Sequence, residues 1–388
     1  MRLAGLAVAA LALAIVSGVW IAATARTVPR RFDRPGQRPP SAAVATCAGA
    51  CEWTAPPRSN PLPPTRWAQV AAGRGEIRGL DLTGVSREAM RELARIAEVR
   101  DVTLAWPEGA HDEVGFVEDL EASGLLARIT QLEIACDACV ERLARARTAT
   151  RLRVLRAKGC TTDDFLEDWH DPCAWLSARA ARRLASSAAF PGLTDLVTSA
   201  RGPALAALLD GPLAARLHGL HVMVTPAGMT ALGNAPRLGR LERLAIHAPA
   251  VSSGSARPVI AVVTSPHLQR LRTLTFVSAD SEGERTLSSD GMRALARHMR
   301  LRSVRELDVS GAYVGDDGLV ELVTAPWLSQ LERLDIAHTG LEDQTGADAR
   351  AALAVRGPWP GLRALAIGAA DPEPLAGFGG VIVRSRLD

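Results

Sequence analysis

From residue 77 onward the apolar positions recur as one short phrase: apolar, two residues, apolar, one residue, apolar. The clear copies are Ile77/Leu80/Leu82, Leu241/Leu244/Ile246, Leu271/Leu274/Phe276, Val304/Leu307/Val309, Leu331/Leu334/Ile336 and Leu362/Leu365/Ile367. Looser copies begin at Val99, Ile129, Leu152, Leu193 and Leu217. The eleven copies start on average 28.5 residues apart. Alternation within each phrase is that of a half-buried strand.

Between phrases the period changes. In 86–96, SREAMRELARI, Met90, Leu93 and Ile96 fall on one face at helical spacing, and Ser86 is a candidate N-cap. SSDGMRALARHM and GDDGLVELV repeat the arrangement, with Ser289 or Asp290 and Asp316 or Asp317 as candidate caps. Each unit is therefore one strand followed by one helix, and neither can bury its apolar face alone. Stacked units share a continuous core. The expected fold class is an α/β solenoid: a curved horseshoe with a parallel β-sheet on the concave side and helices on the convex side. Gly380–Val383 is a candidate last edge strand, with Arg384 and Arg386 discouraging further pairing.

These units resemble the leucine-rich repeats of the ribonuclease-inhibitor-like class, most closely at 305–323, RELDVSGAYVGDDGLVELV. The resemblance runs from about residue 75 to about residue 370. It implies a bacterial binding module that presents its concave sheet to a macromolecule. One departure stands out. The family carries Asn or Cys three residues after the last apolar strand residue. Here those positions include Asp137, Arg201, Ala312 and Thr339; only Cys160 matches, with Thr225 and Thr339 as weak substitutes.

The repeats account for a domain at 67–388 with terminal caps. Ahead of them, 3–23 is an uncharged stretch followed by Ala23-Thr24-Ala25, so 1–25 reads as a signal peptide or a membrane anchor. Residues 26–66 form a linker with nine prolines, seven arginines and two acids. So much proline excludes helix and inner strand. Export, or anchoring in the cell envelope through a transmembrane helix, is the expected localisation.

Net charge is +3 over 388 residues. The linker contributes +5, so the repeat region is close to neutral and no nucleic-acid partner is expected. Lys158 is the only lysine, and the arginine excess reads as coding bias.

No GxSxG, GxxxxGK[ST], HExxH or GxGxxG motif occurs. The expected protein is not an enzyme and carries no cofactor. The segment 158–192 is longer than its counterparts and contains Cys160, five acids, Trp169, His170, Cys173 and Trp175. A Cys160–Cys173 disulfide across a surface loop is the first reading, with Cys136 or Cys139 as other possible partners. The alternative is a metal-dependent protein or enzyme using the Cys136–Trp175 region, with Cys136, Cys139, Cys160, His170 and Cys173 as zinc ligands. A structural envelope spacer without a specific partner is a third reading.

The strand period of two also picks out the concave residues. Arg156, His221, Arg243, His247, Thr275, Glu306, Asp308 and Asp335 are the candidate partner-binding set. A broad, mixed-charge, aromatic-poor surface suits a protein or peptide better than a small molecule. Membrane contact is expected through the N-terminal segment, and the basic linker is either a solubilising spacer or a contact for anionic head groups.

Overall fold

The structure is a computed structural model. It describes the strands 77–81 and 99–104, residues 113–134, 136–157, 175–248, 255–277, 287–312, 314–339, 346–367 and 377–378, and the strand 382–384. All of these belong to one compact unit, Gly49–Asp388. The expected leader at 1–25, the linker at 26–66, the helix at 86–96 and the insertion around Cys160 and Cys173 lie outside the described residues.

Among the described residues, twelve strands form one sheet in strict sequence order. They are β1 (Ile77–Asp81), β2 (Val99–Leu104), β3 (Ile129–Ile134), β4 (Val154–Ala157), β5 (Asp195–Ser199) and β6 (Gly219–Met223), then β7 (Arg243–His247), β8 (Thr273–Phe276), β9 (Glu306–Asp308), β10 (Arg333–Asp335), β11 (Ala364–Ala366) and β12 (Ile382–Arg384). Every pairing is parallel. All eleven repeated phrases coincide with strands, and the twelfth strand is the expected edge.

Helices return the chain between strands: α1 (Glu113–Ala122), α2 (Asp137–Leu143), α3 (Ala178–Ser186), α4 (Gly202–Asp210), α5 (Pro226–Gly233), α6 (Arg257–Val263), α7 (Ser289–His298), α8 (Asp316–Thr324) and α9 (Ala347–Arg356). The result is a curved α/β solenoid with strands on the inside, because a layer of helices is wider than a layer of strands.

Register explains the core. Leu132, Leu155, Leu196, Leu220, Leu244, Leu274, Leu307, Leu334 and Leu365 occupy one cross-strand row, each 5% exposed or less. A second buried row runs through Ile134, Ala157, Thr198, Val222, Ile246 and Phe276. Burying one leucine contributes about 1.5–3 kcal/mol, so each unit is stabilised chiefly by its neighbours.

The caps differ from expectation at two helices. The hydroxyl of Ser288, not Ser289 or Asp290, accepts the Gly291 amide of α7 at 3.2 Å. α8 begins after Gly315, at φ +71°, in place of an acidic cap. Asp316 and Asp317 instead sit in the first turn, where carboxylates complement the helix dipole.

The sparse Asn/Cys ladder has a structural replacement at β9 and β10. Asp308 Oδ1 accepts the Ser310 amide at 2.9 Å, and Asp335 Oδ1 accepts the Ala337 amide at 3.1 Å. Carboxylates at the strand ends thus satisfy turn amides that the missing side chains leave open. Thr339 is fully buried and its hydroxyl donates to the Ile336 carbonyl at 2.7 Å. Thr225 is the N-cap of α5, accepting the Gly228 amide at 3.2 Å.

Candidate binding face

The concave set resolves into three parallel rows. The first contains Asp195, Gly219, Arg243, Thr273, Glu306 and Arg333. The second contains Arg156, Val197, His221, Ala245, Thr275, Asp308 and Asp335. The third is Ser199, Met223 and His247. Hence Arg156, His221, Thr275, Asp308 and Asp335 share one row, Arg243 and Glu306 another, and His247 stands apart in the third. All eight candidates lie on one face of one sheet.

Their surroundings differ. Arg243 Nη2 contacts Asp195 Oδ1 at 2.6 Å, and Thr194 Oγ1 donates to Asp195 Oδ2 at 2.7 Å. This pair crosses two strand spacings because Gly219 lies between them. A Cβ on Gly219 would collide with Asp195 Oδ1. Glu306 accepts a long hydrogen bond from Thr273 Oγ1 at 3.3 Å. Asp308 and Asp335 hold their turns as well as facing the concavity.

His247 is fully buried, and neither of its ring nitrogens has a hydrogen-bond partner. Burial lowers its pKa to about 4. His221 is likewise lowered to about 4, first by burial, then by repulsion from His247 and from the Arg156 guanidinium. Both imidazoles are therefore neutral at pH 7, and Arg156 is the positive group of this central patch.

The expected Cys160–Cys173 bond lies outside the described residues, and the alternative that Cys136 or Cys139 pairs with either of those cysteines is corrected. Cys136 and Cys139 are joined to each other. Cys136 is also the N-cap of α2, its sulfur accepting the Cys139 amide at 2.9 Å. In this state neither sulfur is a thiolate, so the pair does not supply metal ligands. Among the described residues no group of three or more His, Cys, Asp or Glu side chains is placed to hold a metal ion. Cys160, His170 and Cys173 lie outside those residues. Trp175 is packed beneath the Arg201 guanidinium, 5.2 Å from its ring centre.

Sequence reasoning missed the Asp195–Arg243 pair. The two residues are 48 positions apart, and only the glycine between them in register signals that a long side chain can cross.

No family model and no curated relative matches the chain. Among solved structures, a Bacteroides fragilis protein determined as a structural-genomics target is similar, with a TM-score of 0.44 and 15% identity. That similarity covers 70% of this chain and 77% of the other.

Proposed function

We propose that the chain is a leucine-rich repeat protein of the ribonuclease-inhibitor-like class. It works as a non-catalytic binding module, exported or tethered to a membrane, that recognises a protein or peptide on its concave face. The observation that carries this reading is the pair of mixed-charge rows on one sheet face. At the strand spacing, ~4.8 Å, the first row mixes acids and arginines along its length, and the second runs from Arg156 through neutral residues to the acids Asp308 and Asp335. An extended partner with interleaved charges matches such a surface, and charge complementarity sets its register.

The test is photo-crosslinking and capture from the native envelope with the full chain, its Arg156→Glu variant and its Glu306→Arg variant. One captured protein should be reduced at least ten-fold by each reversal, roughly the cost of losing one close charge pair in an interface. A captured set that is unchanged by both reversals overturns the reading.

A further inference from the structure

The repeat region is close to neutral in total, yet its charge is unevenly placed. All strands are parallel, so the loops that lead from each helix into the next strand lie along one edge of the sheet. Arg151 and Arg153 precede β4, Arg237 and Arg240 precede β7, and Arg270 and Arg272 precede β8. All six are exposed, and none forms an ion pair among the described residues. Arg300 and Arg302 continue the row before β9 and line a groove with Trp327 and Gln330. The acids on this edge are few: Glu332 pairs with Arg363 at 3.2 Å, Glu242 faces His218, and Asp210 ends α4.

The opposite edge, where helices begin, carries Asp137, Asp290, Asp316, Asp317 and Asp348, with Arg201 and Arg257 among them. Those acids complement helix dipoles. The same argument does not cover the arginines. Dipole stabilisation fades within the last turn, and Arg151, Arg153, Arg270 and Arg272 lie more than a turn past the ends of α2 and α6. Eight exposed guanidiniums in a row, none of them ion-paired among the described residues, form a polyanion-binding edge.

We infer that this edge docks on an anionic lipid surface. The inference rests on the proposed membrane tether, which keeps the domain close to a bilayer. Lipid phosphates diffuse to meet an irregular row of cations, and guanidiniums pair with phosphate through two parallel hydrogen bonds. A nucleic acid fits less well. The tryptophans on this edge, Trp327 and Trp359, are held inward, each indole N–H donating to a backbone carbonyl at 2.7 and 2.8 Å, which leaves them poorly placed for base stacking.

The experiment uses the full chain with phosphatidylcholine vesicles and with vesicles containing phosphatidylglycerol, and reads flotation and amide hydrogen exchange. Loops 144–153, 236–242 and 265–272 should be protected only on the anionic vesicles, and protection should vanish in high salt. Changing the six arginines Arg151, Arg153, Arg237, Arg240, Arg270 and Arg272 to Gln should abolish protection. A single Arg→Gln change should lower docking about five-fold. An unchanged thermal melt of the six-fold variant shows that its fold survives.

Flotation on both vesicle types with no loop protection on either overturns the docking edge and leaves the tether standing. Flotation on neither overturns the tether and the edge together. Protection of the same loops by duplex DNA, without protection by vesicles, overturns the lipid assignment.

Discussion

Arg243 and Asp195 form an ion pair at 2.6 Å across an intervening strand, because the residue between them in register is Gly219. The glycine is a steric window and has nothing to do with backbone flexibility. Arg243 thereby contributes to the sheet itself as well as to the concave surface. The positive end of the concave face is consequently centred on Arg156, with two neutral imidazoles beside it.

Gly219→Ala should therefore destabilise the chain by about 1 kcal/mol, the scale of losing one partly buried ion pair. In an Asp195→Ala background the same change should be neutral or slightly stabilising, since alanine suits a strand better than glycine. Urea denaturation of the four proteins in this cycle measures the coupling. Equal costs in both backgrounds would show that Gly219 is needed for another reason.

Gly233 ends α5 where that helix meets α6. A Cβ there would overlap the Ala261 carbonyl. Backbone cannot move aside as a side-chain tip can, so Gly233→Ala should cost about 2–3 kcal/mol through overpacking. Gly239, only six residues on, has open space around its Cβ position and a φ of −63°. Gly239→Ala should instead stabilise by about 0.5 kcal/mol by restricting the unfolded chain. Thermal melts of the two variants should move in opposite directions.

His338 and Gly311 occupy equivalent turns after β10 and β9, at φ 56° and 75°. Left-handed backbone costs a residue with a Cβ about 1–2 kcal/mol. His338→Gly should raise stability by up to about 1 kcal/mol, and Gly311→Ala should lower it by a similar amount. Chemical denaturation midpoints check both, and a loss of stability in His338→Gly would show that contacts of the imidazole outweigh the backbone strain.

His221 and His247 make stability pH-dependent. Their folded pKa, about 4, lies below the ordinary value of 6.5. The unfolded chain thus binds protons first, and their contribution is complete above pH 6.5. It is lost as pH falls from about 6.5 to about 4, with a slope of about 1.4 kcal/mol per pH unit for each fully titrating histidine. Stability measured by urea melts from pH 7.5 to 4.5 should fall accordingly. His247→Gln should flatten the profile by about half; a profile unchanged by that substitution would place the acid sensitivity elsewhere.

The strand phrases were legible because each repeat displays the same apolar spacing, and every one became a strand. Capping was less legible. Ser288 and Ser289 are adjacent hydroxyls, and which one caps depends on where the chain leaves the turn. The concave set was legible as a face, since alternation along a strand is local. The partners of its residues were not. Whether Arg243 meets Asp195 or solvent depends on a residue two strands away.

Local sequence, then, determined the unit: apolar spacing for the strand, a change of period for the helix, and too little buried surface for either to stand alone. Tertiary stacking decided which distant units' side chains become neighbours. It placed Asp195 beside Arg243 and gathered scattered arginines along one edge of a nearly neutral domain. The reason is that a parallel solenoid sets equivalent positions of neighbouring repeats one strand spacing apart, ~4.8 Å, however many residues separate them in the chain.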